Sequence, residues 1–263
     1  LSAYLGKPVQ IPIFGFGLIS ALLAQSALLL LAEVFRPRNE PFAAGKSPQE
    51  KETLRQRLLL LAIAALSMDA FIAYLLFLQD GLSIIALILL VVSLFLALFH
   101  SMPPLALARR GLGELVSAAH LAYVIPSIGF ALQYKNNHPL LILVTLPLTL
   151  LALAYFLILN FPTFAEDQKY ERATLLHWLT WERAVPLHHA LITLAYVTLA
   201  IALALRFFVL WVGLLTLPFG ILQILLLRQI SLGAKPNWKL LSSTALAVFG
   251  FTAYFISLNF WIR

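Results

Sequence analysis

The 263-residue chain contains no cysteine. Disulfides, thiolate metal sites and cysteine nucleophiles are thereby excluded, while the compartment stays open. Charge is also scarce. Asp, Glu, Lys and Arg make up 11% of the residues, against roughly 25% in soluble domains, which excludes a soluble fold. The chain carries no P-loop, dinucleotide fingerprint, His-x-x-x-His pair or nucleophile elbow.

What remains is apolar. Hydrophobic residues make up 62% of the chain, and the mean hydropathy is +0.93. The apolar runs are about 20 residues long and do not alternate, so they predict membrane helices rather than a barrel. The expected fold is all-α: a polytopic helical membrane protein, one domain over 1–263, with a pseudo-repeat of halves 1–102 and 103–263. Eight spans are expected, near 12–35, 58–78, 82–99, 115–132, 140–159, 187–205, 207–227 and 240–260. Two splits rest on length. Leu58–Phe99 as one helix runs roughly 63 Å, twice the ~30 Å hydrocarbon core. It must turn, and Gln79-Asp80-Gly81 is the turn signal. The run Leu187–Leu227 must also turn, and Arg206 is its one internal charge.

Eight spans place alternate loops on opposite sides. One side then receives 14 of the 18 basic residues, all but Lys7, Lys135, Arg206 and Arg263. The positive-inside rule makes that side cytoplasmic, in an inner, plasma or photosynthetic membrane. It also receives nine of the 11 acidic residues, all but Asp69 and Asp80. Both signs together describe a polar cap on the bilayer partner, where a lipid-headgroup patch would be mainly basic; no nucleic-acid partner is implied. Within this cap, Ser47-Pro48-Gln49-Glu50 is a capping box, so a helix should begin there and run into the second span. Pro162 to Pro186 is expected to be a long loop.

The stretch Leu159–Leu175 leaves an apolar run and becomes dense in charge at Glu166, Asp167, Lys169, Glu171 and Arg172. Carboxylates at the mouth of a membrane helix can hold a hard cation, and the cation a phosphate; ordinary helix ends are charged as well. Asp69 lies mid-span and needs an interior partner, for which His120 and Ser67 are candidates. His120, His188 and His189 are either metal ligands or hydrogen-bonded to neighbouring helices. Trp178, Trp181, Trp238 and Trp261 form an interfacial belt.

Three stretches together resemble the UbiA superfamily of intramembrane prenyltransferases, nearest the branch that prenylates dihydroxynaphthoate. Phe99–Val116 matches its loop through Ser101, Pro103-Pro104, Arg109-Arg110-Gly111 and Gly113-Glu114. Phe161-Pro162, Asp167 and Thr174-Leu175 fall at the family's spacing, and Asn39–Pro48 is similar to its Gly-containing loop. The resemblance implies a helical bundle with a lipid-open cavity, usually of nine helices. The first has no counterpart here, and LSAYLGKPVQ resembles its end. It further implies transfer of an isoprenoid from its diphosphate to an aromatic, quinone-precursor or chlorin acceptor. Mg²⁺ would be held by Asp167, Glu166 and Glu33, with Asp167 and Glu33 catalytic. Arg36, Arg38, Lys46, Arg109, Arg110, Lys169, Arg172 and Asn160 would bind the diphosphate.

The Asp-rich motifs are eroded. In LLLLAEVFRPRNE, Glu33 stands for the first family Asp, Leu29 for the Asn, and Arg36 or Pro37 for the second Asp. In the second motif Thr163 replaces the leading Asp, and Glu171 the Gly. Three functions therefore stay open. One is a prenyltransferase. The second is a catalytically silent subunit of a larger membrane complex, holding lipid, quinone or (bacterio)chlorophyll beside partner helices. The third is a transporter, supported only by Asp69 and internal Pro and Gly.

Overall fold

A computed structural model describes the chain except for Asn39, Pro41, Ala43, Ala44, Lys46, Asn136, Asn137, Glu171 and Arg263. The helices are α1 (Ile11–Val34), α2 (Pro48–Leu78), α3 (Ile84–Phe99), α4 (Gly113–Ala119), α5 (Ile125–Tyr134), α6 (Pro139–Leu159), α7 (Phe164–Lys169), α8 (Leu175–Ala204), α9 (Leu217–Ser231) and α10 (Trp238–Ile262). No strand occurs among the described residues. Among them, seven helical segments are long and apolar enough to cross a membrane. The chain is an all-α integral membrane protein.

Local chemistry sets the helix ends. The Ser47 hydroxyl accepts from the Glu50 N–H at 3.3 Å, and the Glu50 carboxylate accepts from the Ser47 N–H at 2.7 Å. This capping box starts α2 well before its apolar part. At 31 residues, α2 runs about 46 Å, so its charged first turns stand outside the ~30 Å core. Asp80 takes a positive φ of 52° after α2, and the Gly81 N–H returns to the Leu76 carbonyl at 2.9 Å, closing the expected turn. Arg206 likewise takes φ 67° between α8 and a 3₁₀ stretch, Phe208–Thr216.

The third span stands close to where it is expected, over 82–99: it is a helix of 16 residues, Ile84–Phe99, opened by Ser83 accepting from Ala86 N–H at 3.1 Å. One expectation needs correction. The sixth, expected over 187–205, begins at Leu175, where the Thr174 hydroxyl accepts from His177 N–H at 3.1 Å. Most of the expected loop from Pro162 to Pro186 is therefore helical, as α7 and the first turns of α8. Pro186 lies inside α8, and Thr180 interrupts it at φ 59°, ψ 168°.

α4 and α5 form one span, Gly113–Tyr134, joined through a wide turn at His120–Val124. Pro126 has no N–H to return to the carbonyl four residues back, and an i→i+5 turn accommodates that loss. The core falls into groups. Ile13, Ile72, Leu76, Ala86, Ile128 and Leu132 tie α1, α2, α3 and α5 together. Leu151, Ala152, Ala195, Leu199, Leu210 and Val248 join α6, α8, the 3₁₀ stretch and α10. The α4–α5 span packs against both: Ala118 and Ala122 belong to the second group, and Val124, Ile128, Ala131 and Leu132 to the first.

Lipid offers no hydrophobic gain for helix association, so close approach and buried hydrogen bonds decide it. A Cβ on Gly17 would meet Leu132 at 2.8 Å, and one on Gly220 would meet the Tyr196 ring at 2.6 Å. The Tyr196 hydroxyl lies 3.0 Å from that of Thr216, which lies 2.6 Å from that of Thr252. This chain of hydroxyls links α8, the 3₁₀ stretch and α10. Asp69 occupies the α1-facing stripe of α2, in register with Ala62, Ala65, Ile72 and Leu76. Its partner is the buried Ser20 hydroxyl, donating at 2.5 Å; it pairs with neither His120 nor Ser67.

Candidate functional site

α1 ends in Glu33-Val34, and the chain turns through Phe35, Arg36 and Pro37. The i, i+3 spacing of Glu33 and Arg36 brings their side chains together at 2.6 Å. Arg109 donates to the Phe35 carbonyl at 2.5 Å, one of the carbonyls left open where a helix ends. That bond fastens the Phe99–Val116 segment to the end of α1. His100, the residue after α3, sets its Nδ1 2.9 Å from the Ser101 hydroxyl and its Nε2 3.4 Å from that of Ser117. Burial lowers its pKa from the ordinary histidine value, against a backbone hydrogen bond at Gly113, so the ring is neutral at pH 7.

The 160–175 segment closes the third side. Asn160 donates to the buried Glu114 carboxylate, which also accepts from the Leu175 N–H at 3.1 Å. Asp167 is only 3% exposed. Its carboxylate accepts from Thr163 at 3.1 Å and pairs with Arg172 at 3.6 Å. The Asp167 carbonyl accepts from the Arg172 N–H at 2.8 Å, so the same residue holds Arg172 from two sides. Burial raises the Asp167 pKa above the ordinary carboxylate value, and Arg172 and Thr163 oppose that rise. Arg172 also reaches Glu40 at 3.8 Å.

These pieces enclose a cavity of about 190 Å³ lined by Glu33, Arg36, Glu40, His100, Ser101, Arg109 and Arg172. Three guanidinium groups face two carboxylates around a neutral imidazole, a local charge of +1. A larger cavity, about 310 Å³, lies at the opposite end of the bundle between the start of α1 and the ends of α5 and α10, among Phe14, Phe130, Phe260 and Trp261. It is mainly apolar, its polar lining limited to uncharged side chains such as Ser2, Gln133, Thr145 and Ser257.

The residues expected to bind diphosphate divide. Arg36, Arg109 and Arg172 gather at the charged cavity. Arg38 is exposed and reaches Glu52 at 4.0 Å. Arg110 donates to the Pro104 carbonyl at 3.2 Å. Lys169 lies over the Tyr170 ring, and Asn160 belongs to Glu114. Lys46 falls outside the described residues. For magnesium, the donor set does not fit. Arg36 engages the Glu33 carboxylate, and Thr163 and Arg172 engage that of Asp167. Glu166 is exposed on α7. Among the described residues no three His, Asp or Glu side chains converge as a metal site. The residues the sequence did not single out are Glu40 and His100, although both lie within the stretches that carry the family resemblance.

The membrane histidines differ from one another. His120 is fully matched, with Ser93 at 2.8 Å on one nitrogen and Gln25 at 2.9 Å on the other, so it is a helix-to-helix link. His188 is completely buried, and neither ring nitrogen has a partner. His189 Nε2 and Gln223 Nε2 are also without partners. Each such orphan costs about 1–3 kcal/mol, large beside a net stability of about 5–15 kcal/mol.

The fold and cavity define an integral membrane protein with a charged pocket at one end of a helical bundle. No family model, curated protein or solved structure matches the chain.

Proposed function

We propose that the charged end faces the cytoplasm and that its cavity holds the phosphorylated head of an isoprenoid, as a UbiA-like protein that grips the head with arginines. The convergence of Arg36, Arg109 and Arg172 on one cavity carries this reading. They come from three segments far apart in sequence, and Arg109 and Arg172 lie in stretches that carry the family resemblance. Guanidinium groups match phosphate oxygens in forked pairs, and charge-assisted bonds of this kind are about twice as strong as neutral ones. The cavity opens where charged loops meet the bundle, so the head sits among the arginines while the prenyl chain follows the apolar helices into the bilayer.

The same geometry favours holding over transfer. Of the three carboxylates expected to hold the metal, Glu33 and Asp167 are engaged by arginine and Glu166 is exposed. The protein is thus proposed as a non-catalytic carrier or complex subunit for a prenyl diphosphate or related lipid phosphate.

Binding of radiolabelled farnesyl diphosphate to protein in nanodiscs tests this, with Mg²⁺ and with chelator. Binding should persist in chelator and weaken at least about tenfold in Arg109→Met, the loss of one charge-assisted bond. Farnesol should bind far more weakly than its diphosphate. Equal binding of farnesol, or indifference to Arg36, Arg109 and Arg172 substitutions, overturns the reading. Mg²⁺-dependent transfer to a quinone precursor that disappears in Asp167→Ala would instead assign catalysis.

A further inference from the structure

Among the described residues, four of the five buried side-chain polar atoms without partners belong to α8 and α9. His188 and His189 are consecutive, just after Pro186, and their rings lie 5.7 Å apart, inclined at 69°. The Nε2 of His189 is buried and has no partner, and a neutral imidazole nitrogen with no hydrogen bond to make can offer its lone pair to a metal. His188 offers either nitrogen, both buried and unmatched. On α9, the Nε2 of the buried Gln223 is a fourth unmatched atom. Its amide oxygen and nitrogen exchange places on a half-turn, and the Thr244 hydroxyl now donating to the oxygen can accept from the nitrogen just as well.

We propose that His188 and His189 bind a first-row transition-metal dication such as Zn²⁺. The spacing agrees. At Zn–N bonds of about 2.0–2.1 Å and a tetrahedral angle, two imidazole centroids on one ion lie about 5.2 Å apart. Small side-chain rotations close the difference from 5.7 Å. Imidazole selects zinc, copper or nickel over magnesium and calcium, so this ion is distinct from any that would accompany a diphosphate.

Untagged protein, stripped with chelator and dialysed, is titrated with Co²⁺ while its visible d–d absorption is followed, and Zn²⁺ is then added as competitor. One Co²⁺ per chain is expected, displaced by Zn²⁺. His189→Gln should weaken binding at least about tenfold, and His177→Gln, at an exposed position on the same helix, should leave it unchanged. His188→Gln should do the same as His189→Gln. If it fails to fold, His189→Gln alone decides, because that ring is only half-buried. No Co²⁺ binding in the wild-type protein, or equal binding by wild type and His189→Gln, overturns the proposal.

Discussion

Arg172→Ala removes the cation that faces Asp167 and Glu40. Arg172 is about half exposed and the Asp167 side chain 4% exposed. Breaking a fully buried pair costs about 3–5 kcal/mol, while an exposed pair is worth about 0–1. With one partner half in water, a loss of about 1–2 kcal/mol is expected. At roughly 2–4 °C per kcal/mol for a chain of this size, the midpoint of thermal unfolding should fall by about 2–8 °C. The pH dependence fixes the cause. The folded-state pKa of Asp167 is raised, so between the unfolded and folded values the folded state binds more protons. Stability therefore falls as pH rises through that window. Without Arg172 the folded value rises further and the window extends upward, so the variant should lose more at pH 8 than at pH 5. Asp167→Asn, which removes the charge, should rescue much of the loss in the double variant. Thermal unfolding in detergent at both pH values measures this. An equal loss at pH 5 and pH 8 with no rescue by Asp167→Asn would refute the assignment of Arg172 as the counter-charge.

Two further substitutions probe the scaffold by the same assay. Gly220→Ala places a methyl group 2.6 Å from the Tyr196 ring and should destabilise by about 1–3 kcal/mol; an unchanged midpoint would mean that α8 and α9 do not meet there. Thr180→Gly relieves a backbone at φ 59°, ψ 168°, a region that is nearly glycine-only and costs other residues about 1–3 kcal/mol. After the entropy lost to glycine's freer unfolded chain, a midpoint rise of a few degrees is expected, and a fall would show that the strain is not there.

Local signals were readable and long-range ones were not. The Ser47–Glu50 box, the Gln79-Asp80-Gly81 turn and the break at Arg206 each lie within a few residues, and each stands where its chemistry demanded. The Glu33–Arg36 pair, by contrast, forms across the end of α1, where the chain leaves the helix at Phe35. α8 was misjudged because Glu182, Arg183 and Pro186 suggest a loop, while its real start signal, the Thr174 cap, lies eight residues before Glu182. The Arg109 bond to Phe35, the meeting of Arg172 with Glu40, and Ser20 as the partner of Asp69 all join different segments. No periodicity encodes them. His120 and His188 illustrate the same limit: both are mid-helix histidines among alanines and leucines, yet one is matched on both nitrogens and the other on neither, because neighbouring helices supply the partners.

The hydroxyl and amide contacts of α10 bear on how the chain is assembled. Gln223 precedes α10, yet its side-chain partner Thr244 lies on it, and Thr216, matched by Tyr196 on α8, gains a second hydroxyl, that of Thr252, from the same helix. During synthesis Gln223 enters the bilayer before its partner exists. The second half of the bundle is accordingly unfinished until α10 inserts, and that helix acts as the keystone whose arrival lets the earlier spans lock. An insertion intermediate halted before Trp238 would present the Gln223 amide to lipid.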